Sequence, residues 1–294
     1  MAIVALMGYH CDEILPNPGI LSRQSNKGGP QVEYEGLIYK KEDGIGIITL
    51  NRPEVLNALN EATLTSIDSI VNDLKFDKET KVLIITGTGR GFSSGADVSG
   101  TLAGLLEEEA GLGMLINPTN INYTLNMRRL NQPVIAAING VTAGMALGLV
   151  CACDIRIAAE TASFSCAFVK RNLVPDSGVT WFLPRTVGVG KALELAMTGD
   201  RVDAQEALRI GMVNKVVPDA ELMPAAMDLA KRLKANPPLA VSWAKKLIYQ
   251  SLDMSLESAF DHEIFLQASI VRTADFTEGV ASFLEKRQPK FIGR

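Results

Sequence analysis

The 294-residue chain has few of the residues that build metal centres and disulfide scaffolds: four cysteines and two histidines. Cys11 stands alone near the N-terminus, Cys151 and Cys153 lie in an apolar run, and Cys166 follows closely. That is no disulfide framework, and with only His10 and His262 to add, buried thiols are expected and a metal site is not. No apolar run reaches the roughly 18 residues that span a bilayer, so no membrane partner is expected. The opening MAIVALMGYHCDE lacks a basic segment, so no secretory leader is expected and the expected location is cytoplasmic. Net charge is −4 and no lysine/arginine cluster appears, which argues against a nucleic-acid partner. There is no internal repeat and no low-complexity stretch.

What is present is an ordinary globular balance, 47% hydrophobic and 21% charged, over a length that suits one large domain or a domain with an appendage. Residues 1–35 read as an N-terminal extension, with turn or linker chemistry at Asn17-Pro18-Gly19 and 27–30. A hairpin is expected over 36–50, turning at Asp43-Gly44, and a helix over 61–76 with apolar positions at Leu64, Ile67, Ile70, Val71 and Leu74. Strands are expected at 82–86, 134–138, 154–159 and 213–217, with helices at 119–130, 140–153, 181–187, 191–197 and 204–210. Strands alternating with helices make an α/β core over 36–217. The glycine-rich, acidic stretch 99–118 reads as a lid, or more plainly as an exposed loop. Residues 218–294 read as helix throughout: 220–235, 238–252 and a long one near 256–286.

Two stretches organise this pattern: 92–98 (FSSGADV) and 139–154 (NGVTAGMALGLVCACD). Each follows a short β-branched run and passes through small residues into a helical pattern. Strand ends that open into Gly/Ala turns bring bare backbone N–H groups together, the material of an oxyanion hole. Together with NRP…NAL at 51–59, CDIRIA at 153–158, MTGD at 197–200 and the terminal TEG…FLEKR, these stretches resemble the crotonase (enoyl-CoA hydratase/isomerase) superfamily over residues 36–294. The resemblance implies a crotonase-like α/β fold, a spiral β-β-α core with a C-terminal helical region. It also implies an acyl-CoA thioester substrate, with no cofactor beyond the CoA that the substrate carries. The helical tail would pack over neighbouring subunits in a homotrimer or a dimer of trimers.

Matched position by position, the oxyanion donors fall on Ala96 and Met145, with Gly144 the donor if the register slips by one. Gly95 and Asp97 flank the first donor, Asp97 fixing its turn by accepting backbone N–H bonds. Water addition in this family uses two glutamates, and their places hold Gly148 and Phe168. One carboxylate remains, Asp176 in LVPDSG, a stretch similar to that of the phenylacetate-pathway epoxide/oxepin acyl-CoA isomerases. Set in a dry pocket beside Phe168, Val174 and Trp181, its pKa would rise and it could shuttle a proton. Equally, Asp-Ser-Gly before an apolar run is a good helix N-cap, and the two roles are compatible. Leu56, Ala58, Phe283 and Lys286 match the family's CoA contacts. The expected function is an acyl-CoA isomerase of fatty-acid or aromatic-compound breakdown. The alternatives are a hydrolase or dehalogenase, or a CoA-thioester-binding member with little activity.

Overall fold

The computed structural model describes residues 20–26, 29–97 and 122–294. The expected lid at 99–118 lies outside these. Strands β1 (Ile20–Asn26), β2 (Gly29–Tyr34), β3 (Leu37–Glu42), β4 (Ile45–Leu50), β5 (Val82–Gly87), β7 (Val134–Ile138), β9 (Ile155–Ala159) and β12 (Lys215–Val217) form an eight-stranded sheet in the order β1-β2-β3-β4-β5-β7-β9-β12. Pairing is antiparallel up to β4 and parallel from β4 onward. A second sheet joins β6 (Gly91–Ser93), β8 (Val141–Ala143), β10 (Ser163–Ser165) and β11 (Arg201–Asp203) in the order β11-β10-β8-β6.

The parallel strands read as continuous apolar runs because both faces are covered. Their side chains divide with period two. Leu83, Ile85, Val134, Ala136 and Ile138 face one core, and Val82, Ile84, Ile135 and Ala137 face the other. The first core holds α1 (Glu61–Leu74), α2 (Tyr123–Arg129), α3 (Met145–Ala152), α4 (Val179–Val187), α5 (Val189–Thr198) and α6 (Ala204–Arg209). The second is closed by α7 (Leu222–Lys234), which buries Leu222, Ala226 and Ala230 on one stripe. The chain thus leaves the large sheet after β5, β7 and β9, adds a three-residue strand to the small sheet, and goes on to the next helix. That repeated β-β-α step brings the ends of β6 and β8 side by side.

Helix α1 carries the apolar positions read from the sequence, all buried, and Asn60 caps it by accepting the Thr63 N–H at 2.9 Å. The presumed extension contributes more than a linker, because β1 and β2 continue the sheet and β2 pairs with β3 across residue 36. The C-terminal region is also divided differently. Helix α7 covers the sheet, and α8 (Pro238–Ser251) is pinned to the core by Lys245, which meets Asp154 at 2.8 Å, and by Tyr249, which donates to Asp154 at 2.6 Å. The single long helix expected over 256–286 is two, α9 (Leu256–Ile270) and α10 (Ala274–Glu285). They part where the Thr273 hydroxyl accepts the Phe276 N–H and starts a new helix. Helix α9 buries no residue and leaves Leu256, Phe260, Ile264 and Phe265 exposed.

Candidate active site

The 92–97 turn is held by the loop that contains Asn51-Arg52-Pro53. Leu59 donates its N–H to Gly95 O at 2.7 Å and accepts from the Asp97 N–H at 3.0 Å. In such a parallel bridge the residue between, Ala96, turns its own N–H away from its partner. Gly95 has φ +94°, and a Cβ there would stand 2.6 Å from Ala143 O, so only glycine lets the two motifs touch. Asn139 stitches them together as well: its carboxamide accepts from Gly87 N–H and donates to Gly89 O and Gly91 O.

At the second motif Gly144 takes the left-handed φ of +55° and Met145 begins α3. Met145 therefore needs no positive φ, and its side chain brings no backbone strain. Its N–H is among the first-turn donors that a helix leaves without an internal partner. Gly144 donates its own N–H to Ser165 O at 3.1 Å. The N–H of the slipped register is therefore already engaged within the chain.

Asp97 is fixed by a charge. Arg52 meets its carboxylate at 2.8 Å and donates its other terminal N–H to Ala58 O at 2.8 Å. Buried Asn57 donates to Thr88 O and Gly91 O. Arg52 and Asn57 thus brace both sides of the first turn, a role not read from the sequence although both stand in its NRP…NAL segment. The carbonyls of Leu56 and Ala58 are taken by Ser94 N–H and Arg52 respectively.

Asp176 follows a short turn at Val169–Arg171 and precedes α4. Its side chain caps nothing: the cap position is Gly178, and it is the backbone carbonyl of Asp176 that accepts the Val179 N–H. The capping expectation is therefore corrected, because left-handed Ser177 and Gly178 carry the chain past the helix start before an aspartate side chain can reach it. Crowding by protein on its inner side raises the Asp176 pKa above the ordinary carboxylate range, against the opposing pull of the Ser177 hydroxyl, which donates to it at 2.9 Å. The residue as a whole is exposed, so the pocket is dry on one side only.

Position 148 is tightly closed. A Cβ there would lie 2.5 Å from Ser177 O and 2.8 Å from Ser177 Cβ. Phe168 is buried in the first core. The sequence did not signal Tyr123, which is buried on α2 with its hydroxyl donating to Met145 O at 3.4 Å, and whose titration feels Ser177 and Asp176. Burial holds its pKa well above the usual phenol value. The Cys166 thiol, whose titration also feels Asp176, is pushed up to about 11 by burial.

Trp181, Phe283 and Lys286 complete the expected contacts. The Trp181 ring is covered by Arg128 at 4.3 Å and Arg185 at 4.0 Å, at the junction of α2 and α4. Phe283 is 82% exposed on α10 beside Leu284, in a groove that no residue of 92–97 or 144–181 lines. Lys286 ends that helix in a left-handed conformation. Among the described residues no three His, Cys, Asp or Glu side chains gather as metal ligands, and no helix is long and apolar enough to cross a membrane.

The family model described as enoyl-CoA hydratase/isomerase matches residues 40–294. A Rhodobacter capsulatus protein named probable enoyl-CoA hydratase is 36% identical, over 90% of this chain and 100% of its own length. The 1,2-epoxyphenylacetyl-CoA isomerase of Escherichia coli is 35% identical, over 88% of this chain and 99% of its own. The crystal structure of a Streptomyces coelicolor protein described as a putative enoyl-CoA hydratase superposes with a TM-score of 0.85 at 34% identity, covering 93% of this chain and 100% of that one.

Proposed function

This chain belongs to the enoyl-CoA hydratase/isomerase family and has the crotonase fold, and we propose that within the family it is an acyl-CoA isomerase. The thioester carbonyl oxygen sits between the Ala96 and Met145 N–H groups. Asp176 takes a proton from C2 or C4 of the acyl chain, the resulting enolate places its charge on that oxygen, and Asp176 returns the proton to another carbon. The double bond moves, and no atom is gained or lost. Preorganised N–H donors stabilise the enolate most where its charge appears, and a carboxylate with a raised pKa is a better matched base. No separate cofactor enters the reaction.

The observation that carries this reading is the closure of position 148 by Ser177. With Phe168 filling the second place, Asp176 is left as the lone carboxylate of the motif, enough to move one proton between carbons. A second reading, water addition, is favoured by the name of the R. capsulatus relative and by the open side of Asp176. We further propose that the exposed faces of α9 and α10 pack against other copies of the chain in a trimer or a dimer of trimers.

The test is to incubate the protein with a panel of enoyl-CoAs in deuterated water. Isomerisation puts deuterium into the acyl chain and shifts the double bond, whereas hydration yields the 3-hydroxyacyl-CoA. Asp176→Asn, which keeps the shape but loses the base, is expected to abolish exchange while folding normally. Exchange surviving in that variant, or hydration outpacing isomerisation in the parent, would refute the proposal.

A further inference from the structure

The turn that carries Asp176 is built against α3 and α2, and its geometry gives Ser177 a task of its own. Ser177 is buried and lies in the left-handed region at φ +52°, a conformation that costs a non-glycine residue energy and persists only where the surroundings impose it. Those surroundings include Gly148, with the Ser177 backbone pressed onto its bare Cα, and the Tyr123 hydroxyl, whose titration feels Ser177. The one proton of the Ser177 hydroxyl goes to Asp176 at 2.9 Å. The Tyr123 hydroxyl likewise has one proton, and it goes to a backbone carbonyl. The same tyrosine hydroxyl stands 3.4 Å from the carbonyl of Met145, the residue that supplies an oxyanion donor.

We propose that Ser177 is the positioning residue of the site: lodged in the space left by Gly148 on α3, the helix that Met145 begins, it aims the Asp176 carboxylate and holds it in register with the Met145 end of the oxyanion hole. This rests on the reading of Asp176 as the proton shuttle. Ser177 itself touches no reacting atom. Its hydroxyl favours the ionised carboxylate, the form that abstracts a proton, and disfavours the neutral form that returns it. The Ser177–Asp176 hydrogen bond thereby sets the balance between the two halves of the reaction. Among the described residues, Tyr123 from α2 and Cys166 beyond β10 are the titratable groups whose ionisation couples to Asp176, and both have pKa values raised by burial.

The experiment compares Ser177→Ala and Ser177→Gly with the parent in deuterium exchange across a pH series. Losing the hydroxyl removes a hydrogen bond to the charged carboxylate, so the Asp176 pKa rises and the ascending limb of kcat/KM moves to higher pH. At neutral pH kcat/KM is expected to fall about tenfold in both variants, mostly through kcat. Glycine is at ease at positive φ, so Ser177→Gly keeps the turn even if the alanine variant loosens it. A pH profile that stays in place in folded Ser177→Gly would overturn the inference. Exchange that persists in Asp176→Asn would instead overturn the assignment of the base, and the two failures are distinct.

Discussion

Adding one methyl group at position 148 is the sharpest perturbation of this site, because its effect follows from two distances. The Cβ of Gly148→Ala would lie 2.5 Å from Ser177 O and 2.8 Å from Ser177 Cβ. Unstrained carbon contacts lie at about 3.5–4.0 Å, so the turn over 176–178 has to retreat by roughly 1 Å or α3 has to give way. Helix α3 is buried along nearly its whole length between the sheets and α4, so the turn is the softer partner. Overpacking of this kind costs about 1–3 kcal/mol, which at this chain length is a fall in Tm of a few degrees up to about ten. The catalytic cost is larger, since a displacement of about 1 Å at a reacting group is worth on the order of a hundredfold. Thermal unfolding and solvent-deuterium exchange, measured on one preparation, read both effects. A variant with the parent's Tm and the parent's exchange rate would show that the Asp176 turn does not rest on α3, and the account of the site would fail with it.

Two further outcomes are expected. Placing Glu at 168, or at 148 and 168 together, is expected to leave hydration of a simple enoyl-CoA near background. One substitution buries a carboxylate in an apolar core and the other drives a side chain into Ser177, so assaying 3-hydroxyacyl-CoA formation by the double variant checks the closure of position 148. For assembly, the mass in solution at micromolar protein is expected to be three or six times that of one chain. Leu256→Asp with Phe260→Asp on α9, where both side chains are exposed in the single chain, is expected to lower that mass without lowering helix content. A monomeric parent would end that proposal.

The large elements were legible because their causes are local. The spacing of Leu64, Ile67, Ile70, Val71 and Leu74 is that of one helix face, and all five are buried on α1. The runs at 82–86 and 134–138 are too short for helices and apolar on both faces, which suits parallel strands covered on each side. The three-residue strands β6, β8, β10 and β11 were not legible, since three residues carry no period and their pairing depends on partners distant in the chain. The break at Thr273 did leave a signal, a threonine followed three residues later by the N–H it accepts, but the apolar pattern continues across it and masks the cap.

The site divides along the same line. The sequence by itself determined which groups are available: glycine and alanine where backbone must be bare, one aspartate in LVPDSG, and no acid at 148 or 168. These are matters of residue identity, and no folding changes them. Which groups meet was decided only by the tertiary structure. Gly144 spends its N–H on Ser165; Asp97 answers to Arg52; Asp176 leaves the helix cap to Gly178 and takes its hydrogen bond from Ser177. Each of these choices turns on left-handed backbone at single residues or on packing between segments far apart in the chain. A carboxylate's partner is settled by ångströms that no one-dimensional pattern records.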